Sequence, residues 1–325
     1  MGTVDLLEIL APGILASLQD TGRQGYGRIG VAPSGAADSY ACRIGNLLVG
    51  NLENAAALEI TLMGFQARFR CEAVFAITGA DLQPTLNGRP LPLWTVLRAA
   101  PGDRLELPAA ACGCRAYLAV GGGFHAPAVM GSRSTNIGAG FGGHEGRALQ
   151  AGDVLRGCGP ASYLSLSGRS LPDTLWPVHT SDWVLRVLPG PQSDQFPAAS
   201  RTQFYKALYT VSGASNRTGV RLEGPAIAKE AGAPASILSE GILCGAIQVP
   251  GDGKPIILMN ETVTGGYRKI AVVIAADLPL LGQVAPGDTV RFRETDLAQA
   301  RQLLSGVEAA VDWARRHFSD WQQTL

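Results

Sequence analysis

Pro286-Gly287-Asp288-Thr289-Val290-Arg291-Phe292-Arg293 reads as a tight turn feeding a strand. Glycine supplies the positive φ of the turn, and the residues after it alternate polar and apolar. The device occurs twice more. Pro101-Gly102-Asp103 leads into Arg104-Leu105-Glu106-Leu107, and Ala151-Gly152-Asp153 leads into Val154-Leu155-Arg156. Elsewhere the chain has apolar runs with no wet face, at residues 74–77, 117–120, 256–259 and 270–274, as expected of strands covered on both sides. Composition agrees: 41 Gly in 325 residues, with 20 Pro, favours many turns and short strands. The expected fold class is mainly β with some α, built of β-barrel or sandwich modules.

Helices are few. Ser34 can cap a short one over residues 37–48, with Gly50 placed to stop it. The clearest is amphipathic and C-terminal, over 295–325. Thr295 stands at its cap, and Leu297, Ala300, Leu303, Leu304, Val307, Ala310, Val311, Ala314 and Phe318 recur at three- and four-residue spacing. This helix is set apart from 1–294, which reads as two sub-domains with no boundary marked in the sequence.

Basic and acidic residues number 27 each, so the chain carries no electrostatic footprint for a nucleic-acid backbone. The first ten residues lack a basic leader region, and the longest apolar run, residues 270–276, is far short of the ~20 residues that cross a bilayer. No membrane association and a cytoplasmic location are expected. Six cysteines without a CxxC pair fit neither a zinc site nor a disulfide framework. Cys112 and Cys114, two apart in a strand, would share a face as small core residues. HExxH and GxxxxGK[ST] are absent, and the four histidines are scattered, so no metal site and no phosphate loop are expected. Gly138-Ala139-Gly140-Phe141-Gly142-Gly143 neither follows a strand nor opens a helix, and reads as a covering loop or a turn cluster.

Chemistry is concentrated in five polar, Gly-rich loops: residues 18–38, 131–136, 215–225, 248–253 and 260–269. Such residues also bend loops and staple them to sheets. As a set they do more. Arg forks donate paired hydrogen bonds to carboxylates and amide oxygens, and glycine lets backbone N–H groups approach a substrate oxygen.

The order and content of these loops resemble the carboxyltransferase A/B-type family, over nearly the whole chain. The pieces that carry the resemblance are LQDTGRQGYGRIGVAPSGAADSYACRIGN at 18–46, SNRTGVRLEGP at 215–225, ILSEGILCGAIQVPGDGKPIILM at 237–259 and TGGYRKIA at 264–271. The family includes the C-type subunit of the bacterial ATP-dependent 5-oxoprolinase, the KipI antagonist and the so-called allophanate hydrolase subunit 2. It also includes the matching part of urea carboxylase. The resemblance implies cyclophilin-like β-barrel modules within 1–294, a KipI-like partner subunit and, in the oxoprolinase, a LamB/YcsF-like subunit. There the assembly opens 5-oxo-L-proline to L-glutamate with ATP, bound by the complex and not necessarily by this chain. Asn260 stands where the resemblance leads one to expect Asp; a neutral amide cannot serve as a general base, so either Glu261 or another carboxylate takes that role, or the role is not catalytic.

On that reading the candidate catalytic residues are Thr264, Tyr267, Lys269 and Glu261. Arg217 or Arg221 would orient a substrate carboxylate. The Gly265 and Gly266 amides, with Thr264 and Tyr267, would meet the lactam or phosphorylated oxygen, and Lys269 would neutralise charge. Asn216, Gln248, Asn260, Asp20, Arg23, Ser34, Asp38, Arg133 and Asn136 complete the candidate substrate-binding set. Two alternatives share the scaffold. One is a carboxyltransferase component moving CO2 from carboxybiotin to a urea-like nitrogen; no AMKM-type biotin attachment site occurs in this chain, so the carrier would be separate. The other is a non-catalytic regulator that binds a KipI-like kinase inhibitor.

Overall fold

The computed structural model describes residues 2–158, 163–230, 232–234 and 236–318. The chain divides into two compact units. One gathers Met1–Arg23, Ser34–His179 and Glu308–Leu325, the other Gln24–Pro33 and Thr180–Val307.

The first unit holds β1 (Thr3–Pro12), β2 (Leu15–Gln19), α1 (Ser39–Leu48), β3 (Ala57–Thr61), β4 (Met63–Phe69), β5 (Ala73–Asp81), β6 (Thr85–Leu86), β7 (Arg89–Pro90), β8 (Val96–Ala99), β9 (Arg104–Ala109), β10 (Cys112–Val120) and β11 (Val154–Cys158). They form a six-stranded sheet, β11-β1-β4-β9-β6-β7, and a five-stranded sheet, β2-β3-β10-β5-β8. Leu7, Ile9, Phe65, Phe69, Leu105 and Leu107 of the first sheet share one core with Leu58, Ile60, Phe75, Ile77 and Leu118 of the second. The other face of β5 and β10 is covered by α1, whose Gly45 packs so closely that a Cβ there would lie 2.9 Å from the Thr78 hydroxyl oxygen. This double cover explains why residues 74–77 and 117–120 are unbroken apolar runs.

The second unit holds β12 (Asp182–Pro189), α2 (Ala198–Lys206), β13 (Tyr209–Val211), β14 (Gly219–Glu223), β15 (Glu240–Gly241), β16 (Ala246–Val249), β17 (Ile256–Leu258), β18 (Thr264–Gly265), β19 (Arg268–Val273), α3 (Leu278–Leu281), β20 (Thr289–Glu294) and the start of α4 (Leu297–Phe318). Its core is a closed barrel, β12-β19-β16-β17-β14-β13-β20, sealed by the parallel pairing of β12 with β20 from Asp182↔Thr289 to Val187↔Glu294. Closure leaves no unpaired sheet edge. Alternation holds along the closing strands: Trp183, Leu185, Val187, Val290 and Phe292 are buried, while Val184, Arg291 and Arg293 are exposed. Phe204 of α2 stacks on Phe292 with ring centroids 4.5 Å apart. The β15-β18 pair stands outside the barrel as a two-stranded sheet.

All three turn-to-strand devices form, as the entries to β9, β11 and β20, with Gly102, Gly152 and Gly287 at φ between +91 and +93. Three local expectations are corrected. Helix α1 starts at Ser39 and its cap is Asp38, whose carboxylate accepts the Ala41 N–H at 2.9 Å. Ser34 instead sits at φ +54 and accepts a hydrogen bond from Arg23, so it is not a cap. At α4 the carboxylate of Asp296, not the Thr295 hydroxyl, accepts the Gln299 N–H, at 2.8 Å. A carboxylate one residue later outcompetes the hydroxyl because it meets the first turn's N–H groups directly. Cys114 is buried but Cys112 is exposed: Gly113 at φ +75 and a register shift against β5 break the pleat that would have put both on one face.

The C-terminal helix is accounted for along its length. Leu303, Leu304 and Val307 pack against Ile274, Ala276 and Ala300, and further on Glu308 takes a two-toothed hydrogen bond from Arg43, at 2.7 and 2.8 Å. Among the described residues no helix is long and apolar enough to cross a membrane.

Candidate functional site

Asp20 organises the polar loops of the first unit. Only 3% exposed, it accepts the Gly22 N–H at 2.8 Å, the Ser132 hydroxyl at 2.7 Å, the Ser134 hydroxyl at 2.5 Å and the Arg133 N–H at 2.5 Å. Arg23, also buried, donates to the Ser34 hydroxyl at 2.9 Å and the Ser134 carbonyl at 2.5 Å, and its guanidinium lies 4.7 Å over the Phe141 ring. Asn136 closes the turn to Phe141, its N–H on the Phe141 carbonyl at 2.8 Å and its side-chain oxygen accepting Ala139 N–H at 3.0 Å. Asp38 caps α1 and gives its own N–H to the Tyr117 hydroxyl at 2.8 Å; that hydroxyl in turn donates to Glu59 at 2.7 Å. Asp20, Arg23, Ser34, Asp38 and Asn136 are thus brought together as a buried network that holds the loops. Arg133 differs. Its flanking serines turn inward to Asp20 and leave its own side chain exposed.

In the second unit the structure gathers the 237–245 and 261–269 segments. Glu240 pairs with Gly265 and Gly241 with Thr264 in the β15-β18 ribbon, and the Ile237 N–H donates to the Gly266 carbonyl at 2.7 Å. Two ion pairs flank this ribbon. Arg217 and Glu261, with side chains 4% and 7% exposed, meet at 2.7 Å. Lys269, buried, pairs with Glu240, which is 43% exposed. Gln192 ties the second pair to the barrel: its amide N–H donates to Glu240 at 2.9 Å and its oxygen accepts the Lys269 N–H at 3.1 Å.

Gln248, buried on β16, reaches the Tyr267 carbonyl at 3.4 Å. It fills the space beside Gly265, where a Cβ would fall 2.3 Å from its amide nitrogen. The glycine's closeness therefore serves Gln248. Thr264 is exposed, and the Tyr267 ring is 39% exposed at the ribbon's end. Asn260 follows the buried Met259 and leads into Glu261. The remaining candidates lie on β14 and its turn. Asn216 accepts the Thr218 and Gly219 N–H groups at 2.8 and 3.2 Å, shaping the turn that presents Arg217. Arg221 points to solvent with no acid partner among the described residues.

Electrostatics follow from these contacts. Hydrogen bonds from Lys269 and then Gln192 hold the Glu240 carboxyl below its ordinary value, so it is ionised at neutral pH. Burial pushes the nearby Cys244 thiol up to about 12, against the pull of Arg217, so it is no thiolate nucleophile.

Residues 29–294 match the carboxyltransferase domain, subdomains A and B. The chain belongs to this family. Among similar proteins, the C-type subunit of 5-oxoprolinase from Escherichia coli is 40% identical over 298 residues, covering 91% of this chain and 93% of that one. The urea amidolyase of Saccharomyces cerevisiae is 36% identical over 319 residues, but those make up only 17% of its length. In three dimensions this carboxyltransferase chain superposes on the K. lactis urea amidolyase with a TM-score of 0.89 at 35% identity, covering 97% of this chain and 20% of the other.

Glu240 and Gln192 belong to the cluster although sequence reasoning did not single them out. Glu240 lies inside the stretch 237–259 that carries the resemblance, so the signal is present; its partner Lys269 comes 29 residues later. Gln192 meets Lys269 across 77 residues, a separation at which no local pattern exists.

Proposed function

We propose that this chain is a C-type subunit of an ATP-dependent 5-oxoprolinase, acting in an assembly that opens 5-oxo-L-proline to L-glutamate. The observation that supports this best is the match to the E. coli C-type subunit over nine-tenths of both chains. The chemistry asks for help because a lactam carbonyl is a poor electrophile. Transfer of the ATP γ-phosphoryl to the lactam oxygen makes the ring carbon open to water. The tetrahedral adduct then breaks its C–N bond as the ring nitrogen takes a proton to give the amine of glutamate, and a second water cleaves the acyl phosphate that remains, releasing phosphate and the side-chain carboxylate.

The second unit's cluster suits the receiving end of that sequence. The Tyr267 hydroxyl and Thr264 stand exposed as donors beside Gly265 and Gly266, placed for the lactam or phosphorylated oxygen. Of its three buried cations, Arg217 and Lys269 are each matched by an acid, while Arg268 donates to the Gln195 side-chain oxygen at 2.9 Å and the Pro234 carbonyl at 2.7 Å. The charges of Arg217 and Lys269 are therefore already committed within the chain. We assign ATP itself to the partner subunits, of KipI-like and LamB/YcsF-like type on the sequence resemblance. Reconstitution tests the reading: glutamate formation with 5-oxoproline-dependent ATP hydrolysis should require the assembly and be absent from this chain alone. Turnover by the isolated chain, or none in any reconstituted assembly, would overturn it.

The superposition on urea amidolyase favours a second reading, carboxyl transfer to a urea-like nitrogen from a carboxybiotin held elsewhere. In the same reconstitution it gives carboxybiotin-dependent product and no response to 5-oxoproline. Partner binding with neither activity would point to the regulator.

A further inference from the structure

A cleft of about 570 Å³ opens within the first unit, and none of its lining residues belongs to the second unit's cluster. Its size suits a small organic molecule. The wall is chemically one-sided. Arg133 and His125 supply its basic side chains, Asn51 and Asn54 amides, and Leu52, Ala55 and Phe124 the apolar surface, and among the described residues no Asp or Glu lines it.

Arg133 is the residue around which this cleft is organised. Its backbone N–H is fixed to Asp20 at 2.5 Å, and the serines on either side are bound to the same buried carboxylate. The side chain is steadied in turn: Nε donates to the Ala126 carbonyl at 3.1 Å. That leaves both terminal nitrogens of the fork, and among the described residues no carboxylate meets them. A guanidinium held by its stem, without a counter-charge and beside apolar wall, is preorganised for a planar oxyanion. The buried network of the first unit then has a purpose beyond loop folding: it presents Arg133.

We propose that this cleft binds a small organic carboxylate, its oxygens on the Arg133 fork and its carbon skeleton against Phe124, Leu52 and Ala55. The proposal does not depend on the reaction assigned above. The test uses the full chain, isotopically labelled, titrated with glutarate, with its neutral isostere glutaramide and with inorganic phosphate, and followed by amide NMR and calorimetry. Glutarate should saturably shift the signals of Gly122, Gly123, His125 and Arg133, and glutaramide should not. Arg133→Gln should weaken glutarate binding by roughly 10- to 100-fold, the range of one charge-assisted hydrogen bond, with an unchanged melting temperature because the backbone bond to Asp20 survives. Arg133→Lys, which keeps the charge and loses the fork, should fall between. Absence of binding at tens of millimolar, equal binding of glutaramide, or unweakened binding to both variants would overturn the site. Preference for phosphate over glutarate would overturn the carboxylate assignment.

Discussion

Arg217→Ala tests how the second unit's cluster is held. Arg217 and Glu261 are almost wholly buried, 4% and 7% exposed, and meet at 2.7 Å. Truncating the arginine leaves the buried Glu261 carboxyl without its guanidinium. Removing one partner of a buried pair costs roughly 3–5 kcal/mol, much more than the pair itself contributes relative to apolar replacements. For a chain of this length that corresponds to a fall in melting temperature on the order of 10 °C. The double variant Arg217→Met with Glu261→Met removes both charges and should recover most of the loss. Arg221→Ala, on the solvent side of β14, should stay within about 0.5 kcal/mol of the parent. Thermal and urea melts of the four proteins, side by side, make the comparison. An Arg217→Ala protein that melts with the parent, or a double variant no better than the single, would refute the reasoning that Arg217 is a brace for Glu261.

Three further outcomes are expected. Tyr267→Phe keeps the exposed ring and deletes the hydroxyl, and in the reconstituted assembly should lower turnover by roughly 10- to 1000-fold without affecting folding or partner binding; full turnover would move this loop to scaffold. Gly265→Ala should displace the Gln248 amide and lower activity more than Gly266→Ala, whose new Cβ meets nothing nearer than the Ile237 carbonyl oxygen at 3.2 Å; assays of both variants side by side decide this. In the first unit, the Arg147 guanidinium hydrogen-bonded to Asp153 holds its carboxyl at about 2 rather than the ordinary 3.8. A depressed folded-state value stabilises fully above 3.8 and is lost as pH falls toward about 2, so Asp153→Asn should lower the melting temperature at neutral pH and flatten its decline across that window.

The strand that closes the barrel was legible because Thr289-Val290-Arg291-Phe292-Arg293 declares its buried face in five residues, but alternation is common to barrels and sandwiches and left the two open. The doubly covered strands were legible for the opposite reason, since β5 and β10 have no wet face to mark. The helix caps were harder to read. Ser34, Asp38, Thr295 and Asp296 are all competent caps, and only the path of the preceding backbone decides which oxygen meets the first turn. The site was legible by region more than by role. Residue type alone brings out Arg217, Glu261 and Lys269 as reactive groups, but ion pairing across dozens of residues, Arg217 with Glu261 and Lys269 with Glu240, changes what each can do. Asp20 reads as a substrate ligand by residue type, and its four hydrogen bonds to the chain follow from loops that meet only in the folded unit.

Asn260 raises the question of where a base would sit if one is needed. Adjacency points to Glu261, but its carboxylate is already occupied by the buried Arg217 guanidinium at 2.7 Å. Glu240 is the open carboxylate of the cluster, yet Lys269 and Gln192 hold it ionised and depress its basicity. Neither acid stands without a partner. That fits a reaction whose difficulty is removed earlier, by phosphorylation of the lactam, after which water adds to a strong electrophile with little help. On this argument Glu240 matters as the counter-charge that keeps Lys269 in place, and the two should act as one unit. Glu240→Gln, Lys269→Met and the double variant should then lose similar turnover in the reconstituted assembly, because a unit broken once has little more to lose. The pH profile of Glu240→Gln should keep the parent's acid limb, since no base has been removed. Additive losses, together with an altered acid limb, would instead mark Glu240 as a base acting on its own.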